Sequence, residues 1–133
     1  MKTVLDTRFL VASQAGDQKF QNWSRQTFQT FQKEENLGII PSIVVHEYYK
    51  FLLEIHGKYV AQLRVTSLLK MDIEKVNLDI PIAIQSAKLR CKYAELPTAD
   101  AVIAATGIVL GCDYILTDDR HIRQIREVKT KWI

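Results

Sequence analysis

The spacing of hydrophobic and polar positions changes several times along this chain, and each change predicts an element. The opening "KTVLD" is a short β-branched and aliphatic run ending in an acid, which predicts a first buried strand. Phe20, Trp23, Thr27, Phe28 and Phe31 then recur at helical spacing opposite a face of Lys, Arg and Gln, predicting an amphipathic helix that ends near Gly38. "GIIPSIVV" is continuously apolar apart from Pro41 and predicts a second strand, kinked or late-starting at the proline. From His46 to Met71 the pattern fits two helices hinged at Gly57, with Leu52, Leu53, Val60, Leu63 and Leu68 as core positions. "IEKVNLD" is a weaker third strand, and Pro81 suits the start of a helix through "IAIQSAKLRCKYAE". A helix from about Ala99 to Leu110, a stop at Gly111, the strand "DYILT" and a last strand in "VKTKWI" complete the chain.

Strands alternating with helices predict an α/β fold: a three-layer sandwich around a mainly parallel sheet of about five short strands. Such a sheet points the C-terminal ends of its strands at one rim, where these folds bind their ligands. Asp6 ends the first strand and falls on that rim. Glu47 follows "SIVV" and falls in the first turn of the helix leaving the second strand. Asp100 follows Pro97 and an expected N-cap at Thr98, in the first turn of a helix running away from the rim. About twelve helical residues carry the chain roughly 18 Å outward, and about six extended residues bring it roughly 20 Å back. Thr117, Asp118 and Asp119 therefore return to the level of Asp100, with the hairpin packed closely at Gly107 and Gly111.

Length and composition alter this picture little. The 133 residues suffice for one domain, residues 1–133, with a core of its own. A hydrophobic content of 47% with 25% charged residues excludes a disordered chain. The net charge of +3 permits a polyanionic partner without demanding one. Cys91 and Cys112 lack metal-ligand spacing, which suggests a reduced, intracellular protein. Asp6 and Arg8 interrupt any signal-peptide core, and no apolar run is long enough for a membrane span, so a cytoplasmic location is expected.

Four or five carboxylates on one rim repel one another unless a cation compensates them. Hard oxygen ligands without Cys or His favour magnesium or manganese, and an ion so held activates water and stabilises the charge of an in-line phosphoryl displacement. Phosphodiester hydrolysis is the chemistry that fits. Each acid alone also has a plain structural reading: Asp6 as a cap, Glu47 and Asp100 as partners of helix N-termini, Asp118 or Asp119 as the N-cap of "RHIRQIRE". Their joint position on one rim outweighs those readings. Arg120, Arg123 and Arg126 suit phosphate contact or a solvated face, Tyr48, Tyr49 and Tyr59 suit a core better than base stacking, and His46, His56 and His121 share no zinc pattern.

The segments "VLDT", "PSIVVHEYYK" and "PTADAVIAATGIVLGCDYILTDDRHI", followed by a short closing strand, resemble the PIN-domain ribonucleases, in particular the VapC-type toxins of toxin–antitoxin pairs. The likeness spans nearly the whole chain, and the last segment, with "ADAxIAA" and a strand ending in "LTxD", is its most specific part. The resemblance implies a Mg²⁺- or Mn²⁺-dependent endoribonuclease acting on single-stranded RNA, often a homodimer, inhibited by a small antitoxin whose peptide arm covers the acidic cleft. It puts the family's acids on Asp6, Glu47, Asp100 and Asp119, with Thr117 as a supporting hydroxyl and Asp118 as an auxiliary acid or metal ligand. One departure stands out: after "DT" the family has a small polar residue, and this chain has Arg8, which either reaches a phosphate or neutralises a carboxylate. The alternatives are a non-catalytic PIN-like module that binds RNA or protein, and a phosphoacceptor receiver. The receiver is disfavoured because Thr117 is followed by acids where a lysine is needed.

Overall fold

The computed structural model describes residues 1–133, the side chain of residue 15 excepted. Five strands, β1 (Lys2–Leu5), β2 (Leu37–Pro41), β3 (Glu74–Val76), β4 (Tyr114–Leu116) and β5 (Thr130–Lys131), form one sheet in the order β3-β2-β1-β4-β5. Every pairing in it is parallel. The helices are α1 (Thr7–Ala15), α2 (Gln18–Thr30), α3 (Ser42–His56), α4 (Lys58–Lys70), α5 (Ile80–Lys92), α6 (Thr98–Val109) and α7 (Arg120–Arg123). Successive strand residues point to opposite faces, and both members of the pairs Val4 and Leu5, Ile39 and Ile40, and Ile115 and Leu116 are buried. Both faces of the sheet are therefore covered, which is the three-layer arrangement expected.

Two close approaches show how the layers meet. A Cβ on Gly107 of α6 would stand 3.4 Å from Ile115 Cδ1 and 3.8 Å from Val4 Cγ2, so α6 lies on the face that carries Val4 and its register partner Ile115. A Cβ on Gly38 would lie 2.7 Å from the ring of Phe31, so the residue just beyond α2 seals the opposite face, where Gly38 pairs in register with Thr3. No helix among the described residues is long and apolar enough to cross a membrane.

Several boundaries differ from expectation for identifiable reasons. The α2 helix ends at Thr30, not near Gly38, because Gly38 is needed inside β2, where any side chain would collide with Phe31. "SIVV" is the first turn of α3, not the end of a strand. Pro41, with φ −63° and ψ 142°, closes β2 and caps α3; a helix start needs no N–H from it. Glu47 is accordingly in the second turn of α3. Pro97, not Thr98, occupies the cap of α6, with no side-chain cap bond. Leu53 and Leu63 are exposed: the buried stripe runs through Val44, Tyr48 and Leu52 in α3 and through Ala61, Val65 and Leu68 in α4, and those two leucines lie off it. Tyr48 is in the core as anticipated, whereas Tyr59 is exposed. The helix α1, which hydrophobic spacing does not announce, begins immediately after β1, with Asp6 as its N-cap.

Candidate active site

The register of β1 against β4 builds the centre of the rim. Leu5 pairs with Leu116, so the next residues, Asp6 and Thr117, leave the sheet side by side. Asp6 N–H donates to Leu116 O at 3.3 Å, and Thr117 Oγ1 donates to Asp6 Oδ2 at 2.6 Å. The other carboxylate oxygen of Asp6 accepts the Thr7 N–H at 2.7 Å. Both groups are almost fully buried, Asp6 at 3% and Thr117 at 1% exposure, and are held by each other. Thr117 Oγ1 also accepts the Asp119 N–H at 3.0 Å, so one hydroxyl fixes Asp6 and the backbone of Asp119 together. The Asp119 side chain accepts His121 N–H at 2.8 Å and caps α7, so its structural reading and its membership of the rim hold at once.

On the other side of β1, the pairing of Val4 with Ile39 brings the end of β2, and hence the start of α3, to the level of Asp6. From the second turn of α3, Glu47 meets Thr7, whose Oγ1 donates to Glu47 Oε1 at 2.7 Å. Thr7 thus ties the first acid's own loop to the glutamate. Sequence reasoning assigned Thr7 no role; the signal was an acid followed by Thr at a strand end, the N-terminus of an unrecognised helix. Asp100 is the third residue of α6, in its first turn.

Electrostatics show that these acids share one neighbourhood. The Asp6 carboxyl is raised to about 6, by burial first; hydrogen bonds from Thr117 and Thr7 oppose the rise, and the charges of Asp119 and Glu47 add to it. Asp100 is raised to about 7, again by burial first and then by Asp119, Asp6 and Glu47, with Arg8 opposing. The charges of Asp119 and Glu47 thus act on both raised groups, and that of Asp6 acts on Asp100. Asp118 stands apart from them. Its carboxylate takes Arg8 Nε–H and, at 3.2 Å, an Nη2–H, a bidentate pair that lowers the Asp118 pKa and raises that of Arg8. Of the two fates considered for Arg8, neutralising a carboxylate is the one observed, and that carboxylate is Asp118.

The donor set suits a hard divalent cation: oxygen only, with two groups, Asp6 and Asp100, whose ionisation is suppressed by burial first and by neighbouring acids second and would be favoured by a nearby positive charge. Among the described residues no three His, Cys, Asp or Glu side chains form a ready metal-binding group as they stand. Asp6, Glu47 and Asp119 are each engaged by protein donors, Thr117 and Thr7 on Asp6, Thr7 on Glu47 and His121 N–H on Asp119. Arg120, Arg123 and Arg126 are exposed.

The family model of the PIN domain matches residues 3–128, and the chain belongs to that family. No curated protein matches the sequence. Among solved structures, the chain is similar to one in the VapBC2 complex of Rickettsia felis bound to a DNA fragment from its promoter, at TM-score 0.78 and 16% identity, covering 100% of this chain and 99% of that one. It is similar to one in the DNA-bound VapBC complex of Salmonella typhimurium, at TM-score 0.77 and 18% identity over 99% and 98% of the two chains. A third is VapC20 of Mycobacterium tuberculosis, described as a sarcin–ricin loop-cleaving toxin, at TM-score 0.71 and 16% identity over 88% and 89%. At such identities these likenesses establish the fold.

Proposed function

We propose that the protein is a Mg²⁺- or Mn²⁺-dependent endoribonuclease that hydrolyses phosphodiesters of single-stranded RNA, and that it is the toxin of a toxin–antitoxin pair. The observation that carries the reading is the convergence at the C-terminal rim of a PIN-family sheet of the buried Asp6, tied to the Asp119 backbone through Thr117 and to Glu47 through the loop of Thr7, with the charges of all three acting on Asp100. Asp6, Asp100 and Asp119 would hold the ion, directly or through water, and Glu47 would complete the shell or orient the attacking water. The bound ion supplies activation of water and compensation of charge on the phosphate. Thr117 keeps Asp6 and Asp119 in register, and Thr7 keeps Glu47 facing the same space. Asp118, tied to Arg8, is left out of the ligand set proposed here.

The neighbouring structures support the biological half of the proposal. Two are DNA-bound VapBC structures and a third is a toxin described as cleaving the sarcin–ricin loop. On that footing the protein has a small antitoxin as partner; a homodimer and a cytoplasmic location belong to the proposal through the resemblance to VapC-type toxins. A non-catalytic PIN-like module that binds RNA or protein is the second reading, and the observation that favours it is Arg8, which pairs with Asp118 and whose charge also acts on Asp100.

The test is cleavage of single-stranded RNA with Mg²⁺ or Mn²⁺, with EDTA, and with Asp6→Asn and Asp100→Asn. Each substitution removes a ligand charge, and the expected loss exceeds the roughly 10–100-fold seen when only a group that orients a ligand is removed. Cleavage that survives both EDTA and the substitutions would belong to another activity.

A further inference from the structure

Beside the acidic rim, between the outer side of α1 and the C-terminal end of the chain, lies an open cleft of about 380 Å³. Its walls include Thr7, Arg8, Val11, Phe20, Asp118 and Trp132. The volume falls in the lower range of small-molecule sites. Trp132 is anchored from behind by aromatic neighbours, its ring centroid 5.0 Å from that of Trp23 and 6.1 Å from that of Phe20, and it remains partly exposed.

The cleft adjoins the candidate active site through two residues, and the four rim acids themselves lie outside its lining. Thr7 lines it and donates to Glu47 at 2.7 Å. Asp118 lines it and lies between Thr117 and Asp119 in the chain. Arg8 stands at its mouth with a side chain 54% exposed. Of the five N–H donors of a guanidinium, Asp118 takes two, leaving three for another acceptor in a plane already fixed by the pair. An aromatic wall, an apolar floor and a positioned cation at the edge match the three parts of a nucleotide: a flat base, its sugar, and a phosphate.

We propose that this cleft seats one nucleobase of the single-stranded substrate beside the cleaved phosphodiester, with the base against Trp132 and an adjoining phosphate on Arg8. The inference rests on the nuclease reading for the identity of the polymer, and it adds the residues that grip it and choose among its bases. The pocket on the other side of Thr7 and Val11 is a poorer seat for a polyanion, since Glu47 and Glu54 outnumber Lys50 there, whereas Arg8 and Asp118 balance in this cleft. An apolar peptide side chain would fit the aromatic wall but would leave the free donors of Arg8 without a phosphate.

The test measures binding of short fluorescein-labelled homopolymers of adenylate, cytidylate and uridylate, by anisotropy, with Ca²⁺ in place of Mg²⁺. Stacking on an aromatic side chain contributes on the order of 1–3 kcal/mol per base, so Trp132→Leu is expected to weaken binding roughly 5- to 150-fold and to narrow the differences among the three polymers. Trp132→Phe, which keeps an aromatic face, should recover most of the affinity, and thermal unfolding of both variants checks the fold. In a parallel ¹H–¹⁵N titration, the Trp132 indole N–H, identified by its loss in Trp132→Leu, should shift on saturation. An indole that stays in place at saturation, or Trp132→Leu binding as tightly as the parent, overturns the cleft as a base site. The two proposals fail separately. RNA bound through Trp132 without Mg²⁺- or Mn²⁺-dependent cleavage would uphold the cleft and sink the nuclease, whereas cleavage with unchanged KM and cut-site choice in Trp132→Leu would do the reverse.

Discussion

A single hydroxyl carries more of this site than its size suggests. Thr117 Oγ1 donates to Asp6 and accepts from the Asp119 backbone, and no other group among the described residues performs both tasks. Thr117→Val keeps the volume and removes both bonds, leaving a buried carboxylate oxygen and an N–H short of partners, at a cost of about 1–3 kcal/mol. Urea unfolding should show that loss, and Thr117→Ser should restore most of it. RNA cleavage should fall roughly 10–100-fold, as for other groups that orient a metal ligand. The neighbouring acids separate as sharply. Asp118 sits in an exposed pair with Arg8, worth about 0–1 kcal/mol, so Asp118→Ala should leave stability nearly unchanged and keep most of the turnover at saturating RNA. Asp119→Ala removes a rim acid and the cap of α7 together, and should lose turnover and about 1 kcal/mol of stability. Equal loss of turnover in the two variants would mean that Asp118 belongs to the site after all.

At the scale of elements, the hairpin of α6 and β4 brings Thr117 and Asp119 back to Asp100, and its two glycines do different work. Gly111 ends α6 in a left-handed conformation, φ +64°. Gly111 N–H donates to Ile108 O at 3.2 Å and Cys112 N–H to Gly107 O at 2.8 Å, the two bonds of a Schellman cap. A Cβ there meets nothing within 4 Å, so close packing, as first expected, is not its purpose. Gly111→Ala should cost about 1–2 kcal/mol through backbone strain alone. Gly107 is helical and its Cβ would make only ordinary contact with Ile115, so Gly107→Ala should be neutral or stabilise by about 0.5–1 kcal/mol. Thermal unfolding of the pair distinguishes backbone from packing. The same hairpin marks what the sequence made legible. Its apolar run, bounded by Pro97 and Gly111, has one reading, and the arrival of Thr117 and Asp119 at the level of Asp6 and Asp100 follows from element lengths. By contrast, "GIIPSIVV" is apolar throughout, and periodicity cannot separate a buried strand from the first turn of a buried helix. The α1 helix escaped notice because Phe9 and Leu10 bury on one side of only nine residues, too few for a period to stand out. The pairing of Arg8 with Asp118 spans 110 positions, and the register of β1 on β4 that joins them is not written in local pattern.

For the whole molecule, the consequence of burying acids beside one another is a dependence of stability on pH that runs opposite to ordinary acid denaturation. Asp6 and Asp100 rise from 3.8 to about 6 and about 7, so between those values the folded chain binds more protons than the unfolded one. Stability then falls as pH rises through that window, since the slope follows the difference in bound protons between the unfolded and folded states. Groups with lowered pKa, Asp118 beside Arg8 and Glu127 beside Lys92, act in the other sense, but their stabilisation is lost only as pH falls below the ordinary carboxylate range. The two effects therefore occupy different pH windows. In EDTA the melting temperature should decline between pH 5 and pH 8 by on the order of a few degrees, and Asp100→Asn should flatten most of that decline. Millimolar Mg²⁺ or Mn²⁺ should also flatten it for the parent chain, because a bound cation stabilises the ionised acids and binding to the folded state alone raises its stability. A melting temperature in EDTA that is level or rising from pH 5 to pH 8 would mean that Asp6 and Asp100 are not held in solution in the buried, acid-flanked setting described, and the case for a cation beside them would go with it.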